Sequence, residues 1–204
     1  MGILSSSMAI TRYRVEGRIE GAPTETVRRG LKKNAITEID HQADDRAVGW
    51  TSFESPYLPN FEGSSFLFGN LFVFSLRIDR KPLSSKLLKK HLSIATAERL
   101  AKTRKLFLSK DEKAALKEKV MQELLVRVPS TPSVYDIIWN YEAASLLFFS
   151  HLRAANEQLE ALFRQSFNVG VIRIFPFTAA DKLAGLSDSE RDALIALSSS
   201  QFSS

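Results

Sequence analysis

"SSFLFGNLFVFSLRIDR", Ser64 to Arg80, holds two apolar runs separated by Gly69-Asn70. That pair suits a two-residue hairpin turn, which requires positive φ. The second run, Leu71 to Ile78, is apolar at odd and even positions alike, as in an interior strand covered on both faces. Strands joined by so tight a turn run antiparallel, so this stretch points to a hairpin-built sheet and away from strict βαβ alternation.

Working toward the N-terminus, "DHQADDRAVGWTSFESPYLPNFEG" (Asp40 to Gly63) lacks sustained periodicity and contains two prolines and two glycines. It is expected to be mostly loop. Before it, "GAPTETVRRGLKKNA" reads as a helix whose start is marked by Pro23, Thr24 and Thr26, and "MAITRYRV" (Met8 to Val15) reads as a first strand.

Toward the C-terminus, two helices follow Pro82. The first runs from about Ser84 to Arg104, with Leu87, Leu88, Ile94, Ala95 and Ala101 on one broad face and Lys86, Lys89 and Lys90 in a row on another. The second opens at Ser109 with the capping box Ser109-x-x-Glu112 and packs through Leu116, Val120, Met121 and Leu124. "VYDIIWNYEAASLLFFS" (Val134 to Ser150) reads as a second hairpin turning near Asn140 to Ala143. "LRAANEQLEALFRQSF" reads as a helix with Leu152, Leu159, Leu162 and Phe163 inward, and "VGVIRIFPF" as another strand. A short helix opens with the capping box Ser187-x-x-Glu190, and residues 198–204 are expected to fray. The sum is an α+β fold, a largely antiparallel sheet with packed helices, forming a single domain over residues 1–204. Residues 84–126 are expected to project as a pair of basic helices, a possible helical subdomain.

The 204 residues carry a net charge of only +5, unevenly distributed. From Arg77 to Arg127 there are fifteen Lys and Arg against six Asp and Glu, a local +9 against −4 elsewhere. Clustered charge makes a local field that evenly spread charge does not, which points to a polyanionic partner, with a solvated helical face as the plain alternative. The cations also sit at a helix start, where the backbone dipole favours acids. No apolar run approaches a membrane span and "MGILSSSMAI" lacks the features of a signal peptide, so no membrane association and a cytoplasmic location are expected. The absence of cysteine excludes disulfides, a thiol nucleophile and thiolate metal sites.

Catalytic constellations are scarce. His41, His91 and His151 have no ligand spacing, and there is no phosphate-binding glycine loop or nucleophile elbow. Asp40, His41, Asp44 and Asp45 lie close together in sequence; they read as a solvated loop, with a metal-dependent nuclease left open as the alternative. The aromatics Phe66, Phe68, Phe72, Phe74, Trp139, Phe148 and Phe149 read as core rather than as a base-stacking platform. No catalytic residue, metal site, cofactor or small-molecule substrate is expected.

The order of elements resembles a known family. Met8 near the first strand, Val48-Gly49-Trp50, the hairpin leading to Lys81-Pro82-Leu83, and the basic helix joined to Lys113-x-x-Leu116-Lys117-x-x-Val120-x-x-x-Leu124-Leu125 are similar to the recombination-associated protein RdgC family. The following hairpin, helix and "VGVIRIFPF" strand fit the same pattern, so the resemblance runs from about Met8 to Phe177. It implies a bacterial, nucleoid-associated protein that forms a ring-shaped homodimer around duplex DNA with little sequence preference and limits RecA-driven strand exchange. Family members carry a larger C-terminal part that helps close the ring, so DNA binding is the firmer expectation. The family also bears an exonuclease label, for which these residues offer no carboxylate set. The expected DNA-binding residues are Arg77, Arg80, Lys81, Lys86, Lys89 and Lys90, extended by Lys102, Arg104, Lys105, Lys110, Lys113 and Lys117. DNA, duplex before single strand, is the expected partner; a protein-interaction module with a merely solvated basic face is the other open reading.

Overall fold

The computed structural model describes residues 2–197. The expected fraying of residues 198–204 lies outside the described residues. In chain order the elements are β1 (Thr11–Glu16), α1 (Pro23–Lys33), β2 (Arg46–Thr51), β3 (Leu67–Phe68), β4 (Leu71–Arg80), α2 (Ser85–Thr103), α3 (Lys110–Arg127), β5 (Thr131–Asn140), β6 (Ser145–Phe148), α4 (Arg153–Phe167), β7 (Gly170–Ile174), α5 (Pro176–Leu183) and α6 (Asp188–Ala196). The strands pair antiparallel, and the fold is α+β. The described chain divides into two compact units.

The first unit draws on Met1–Lys33, Phe61–Phe74 and Tyr135–Ser204. β1 lies between β6 and β7, with Tyr13 opposite Leu146 on one side and Arg173 on the other. β5 and β6 form the expected hairpin, with Trp139 opposite Leu146. The β3–β4 hairpin turns at Gly69-Asn70, where Gly69 alone takes positive φ, +62°, the pattern of turns that need glycine first. Trp139 is the hub of the aromatic core, its ring centre 4.8 Å from Phe163, 5.2 Å from Phe167 and 5.5 Å from Phe72. The sequence aromatics are therefore core, except Phe68, which is exposed. Helix α1 approaches α4 closely because residue 30 is glycine; a Cβ there would lie 2.6 Å from the Ser166 carbonyl oxygen. One polar cluster runs from this apolar interior, at Tyr13 and Asn156, to the partly exposed Glu160 and Arg173. The Tyr13 hydroxyl lies 2.6 Å from Asn156 Oδ1 and 2.9 Å from Glu160 Oε1, and Arg173 Nη2 donates to the same Glu160 oxygen. Burial, reinforced by Glu160, pushes the Tyr13 phenol well above its ordinary range.

Two expectations change here. Leu152 stands at the N-cap of α4, half exposed, while Leu159, Leu162 and Phe163 are buried as expected. The last strand stops at Ile174 because Pro176, which has no N–H for a sheet, opens α5 instead.

The second unit comprises Asn34–Asn60 and Ser75–Val134. Its strand β2 lies inside the segment expected to be loop. It forms because Val48 and Trp50 pair with Ile78 and Leu76 of β4, and because Gly49 lets the Ile36 backbone come so close that any Cβ would overlap it. Trp50 is completely buried in consequence. β4 is buried from Phe72 to Asp79, as its two-sided apolar pattern requires. After it come α2 and α3, packed on each other. Serine caps α3 as expected: the Ser109 hydroxyl accepts from the Glu112 amide, and the Glu112 carboxylate accepts from the Ser109 amide. Helix α2 starts after Ser84 with no side-chain cap and no acid in its first turn.

Candidate nucleic-acid interface

Residues two apart on a strand share a face, so Arg77 and Asp79 of β4 point the same way. Arg77 is only 4% exposed. Its Nε donates to Asp79 Oδ1 at 2.8 Å and its Nη2 to Asp79 Oδ2 at 2.6 Å, with Glu38 Oε2 3.1 Å from Nη2. The Tyr57 ring covers the guanidinium at 5.6 Å. Burial opposes its charge, but hydrogen bonds to Asp79 and Glu38 outweigh burial and raise its pKa. Lys81 is 5% exposed, and its Nζ donates to the carbonyls of Gln42 at 2.6 Å and Leu125 at 2.8 Å. The second of these lies in the last turn of α3, where backbone carbonyls lack intrahelical donors. Both residues were expected at the DNA surface; both are interior instead, committed to holding the second unit together. Arg80, between them in sequence, is exposed.

The remaining nine expected residues are all exposed, in four settings. Lys86, Lys89 and Lys90 open α2. Leu88, His91, Leu92 and Ala95 of this helix are half-buried, and His91, Ile94, Ala95 and Glu98 line a groove shared with α3; Leu87 and Ile94 are exposed along with the lysines. No residue of α2 is buried. Among the described residues, Lys86, Lys89 and Lys90 form no salt bridge.

The α2–α3 connection carries Arg104 and Lys105, and Lys110 opens α3. Arg104 ends α2 in the left-handed region, φ +52°. Lys105 Nζ is 2.7 Å from Glu112 Oε1; that hydrogen bond, with the Ser109 amide, holds the Glu112 carboxyl down to about 2. On α3, Lys113, Lys117, Val120 and Leu124 follow one stripe at i, i+4, i+7 and i+11. Burial on that stripe begins at Val120, so its two lysines stand in solvent where a core-facing helix would carry apolar residues.

Lys102 sits apart. It lines a groove of about 420 Å³ between α2 and α3 together with Arg99, Lys119, Glu98, Glu112 and Glu123, where the formal charges cancel. A phosphate gains least there. A second cationic surface, in the first unit, escaped the sequence reading: Arg28, Arg29, Lys32 and Lys33 with Glu25 line a shallow groove of about 470 Å³ along α1. Arg28 pairs with Glu25 and Lys32 with Glu62, while Arg29 and Lys33 are exposed. Their signal was the doublet spacing, two adjacent cations repeated one turn later.

The acidic loop is dispersed in its commitments. Asp40 accepts a hydrogen bond from the Ser130 amide at 2.8 Å, which keeps its carboxyl below the ordinary range, while His41, Asp44 and Asp45 are exposed. Among the described residues no group of three or more His, Asp or Glu is placed to hold a metal ion, and no helix is long and apolar enough to cross a membrane.

No curated protein matches the chain. A family model described as "Putative exonuclease, RdgC" matches residues 9–184. The match spans both compact units, the hairpins and the basic helix pair, and by it the chain belongs to the RdgC family.

Proposed function

We propose that this chain binds DNA without sequence preference, through phosphate contacts made by Arg80, Lys86, Lys89, Lys90, Arg104, Lys105, Lys110, Lys113 and Lys117, with Lys102 at the margin. The observation that carries the reading is the state of α2: a 19-residue helix with no buried residue, no acid in its first turn and three exposed lysines that form no salt bridge among the described residues. Cations at a helix start repel the dipole and one another, and an incoming phosphate relieves both effects while gaining access to terminal backbone N–H groups. Phosphate contacts position a protein on DNA without reading bases. At the level of the family the protein is recombination-associated, and the finer reading is a nucleoid-associated homodimer that prefers duplex DNA and limits RecA-type strand exchange by occupying the substrate.

On this reading the protein occupies DNA and does not cut it. Linear DNA incubated with the protein and magnesium or manganese should stay intact while its electrophoretic mobility shifts. Metal-dependent degradation that disappears in Asp44→Ala/Asp45→Ala would overturn the reading in favour of the nuclease.

A further inference from the structure

Between α2 and α3 the chain reads Arg104-Lys105-Leu106-Phe107-Leu108-Ser109. Leu106 is 95% exposed and Phe107 76%, whereas the next residue, Leu108, is 3% exposed. Two large apolar side chains in full solvent contact cost free energy unless something covers them, about 1.5–3 kcal/mol for each such side chain that burial would recover. The loop holding them is anchored at both ends. Leu108 is buried, Ser109 and Glu112 form the capping box, Lys105 is tied to Glu112, and Arg104 closes α2 in the left-handed conformation. Leu106 and Phe107 are thus presented from a fixed base.

The cover must tolerate cations, because Arg104, Lys105 and Lys110 surround the pair. A second copy of the same loop would bring like charges together. An apolar step beneath a row of phosphates is the surface that matches both features, and base pairs in a duplex offer it once they are slightly unstacked. We propose that Leu106 and Phe107 form a wedge that enters the base stack of duplex DNA at weakly stacked steps, with Arg104 and Lys110 seated on adjacent phosphates. The proposal rests on the DNA-binding reading above and adds to it a preference for duplex that is already easy to open.

Unstacking a step costs a few kcal/mol, so a site where part of that cost is absent should bind more tightly, about tenfold for each 1.4 kcal/mol removed. The test uses the full chain and short duplexes carrying 2-aminopurine beside either a matched pair or a mismatch. The expected result is tighter binding to the mismatched duplex by about tenfold, accompanied by a rise in 2-aminopurine emission as the base loses its neighbour. Leu106→Ala/Phe107→Ala should keep its salt slope, which counts phosphate contacts, but lose the preference and the emission change. The double variant is expected to fold, since both side chains are exposed. Equal affinity of the unaltered protein for the two duplexes, or a preference that survives in the variant, overturns the wedge and leaves phosphate binding standing. A fall in mass from dimer to monomer in the variant identifies a self-association contact and also overturns it. Failure of the unaltered protein to bind either duplex overturns the wedge and the DNA-binding reading together.

Discussion

Arg80 and Lys81 are adjacent in sequence, yet they should respond to substitution in opposite ways. Lys81→Met keeps the length and apolar stem of the side chain and removes the ammonium that donates to the Gln42 and Leu125 carbonyls at 2.6 and 2.8 Å. Hydrogen bonds from a charged donor contribute about 1.5–3 kcal/mol each, and an acceptor left buried without a partner costs about 1–3 kcal/mol. Against this, methionine does not carry the desolvation cost of a buried ammonium. The net expectation is a loss of about 2–4 kcal/mol, which for a chain of this size lowers Tm by about 4–16 °C. Arg80→Gln, on an exposed side chain, should leave stability within about 0.5 kcal/mol. In DNA binding the roles reverse. Measured well below both melting temperatures, Lys81→Met should retain the dependence of log Kd on log salt, and Arg80→Gln should flatten it by about 0.9. Thermal melts with salt-titrated fluorescence anisotropy read both quantities. A Lys81→Met protein that melts as the unaltered one does, or that loses salt slope, would refute the assignment of Lys81 to the interior.

Arg77→Met should be as destabilising as any single change in the second unit, about 3–5 kcal/mol, because it strands the buried Asp79 carboxylate; unfolding in urea measures it, and Arg77→Met/Asp79→Leu should recover part of the loss. The capping box at α3 should respond to acid. Because the folded pKa of Glu112, about 2, lies below the ordinary glutamate value of 4.5, its stabilising effect is present above pH 4.5 and lost as pH falls toward about 2. Amide hydrogen exchange at the start of α3 should quicken across that range, and Glu112→Gln should show the faster exchange already at neutral pH.

Local signals in the sequence located most elements. The Gly69-Asn70 hairpin and the two Ser-x-x-Glu capping boxes each satisfy their own backbone requirements within a few residues, so they were legible without tertiary information. β2 was not. Its six residues include Gly49, a poor strand former, and the same stretch goes on to Pro56, Pro59 and Gly63; what makes it a strand is pairing with β4 and the close approach of Ile36, contacts remote in sequence. On α2 the apolar positions surround more of the helix than packing uses, so periodicity alone did not separate half-buried Leu88 and Leu92 from exposed Leu87 and Ile94.

The basic site shows the same division. Charge can be counted from composition, but burial depends on partners. Arg77 and Lys81 looked like the start of the lysine track, although Arg77 and Asp79, opposite charges two apart on an apolar strand, already indicated an ion pair. The backbone carbonyls that receive Lys81 gave no sequence signal, since every residue has one. The exposed apolar pair at Leu106 and Phe107 was visible as residues but not as exposure, because its neighbour Leu108 is buried.

The central claim is that the exposed cations of α2 and α3 contact phosphate, and the row Lys86, Lys89 and Lys90 tests it most directly. Each phosphate contact contributes about 0.9 to the slope of log Kd against log salt, so replacing all three by glutamine should flatten the slope by up to about 2.7. Binding should weaken similarly for unrelated DNA sequences. Tm should hold or rise slightly, because removing cations from the first turns relieves an unfavourable dipole interaction of at most about 0.3–1 kcal/mol each. Unchanged affinity and unchanged slope in the triple variant would contradict the account, showing the lysine row to be a solvated face with no part in binding.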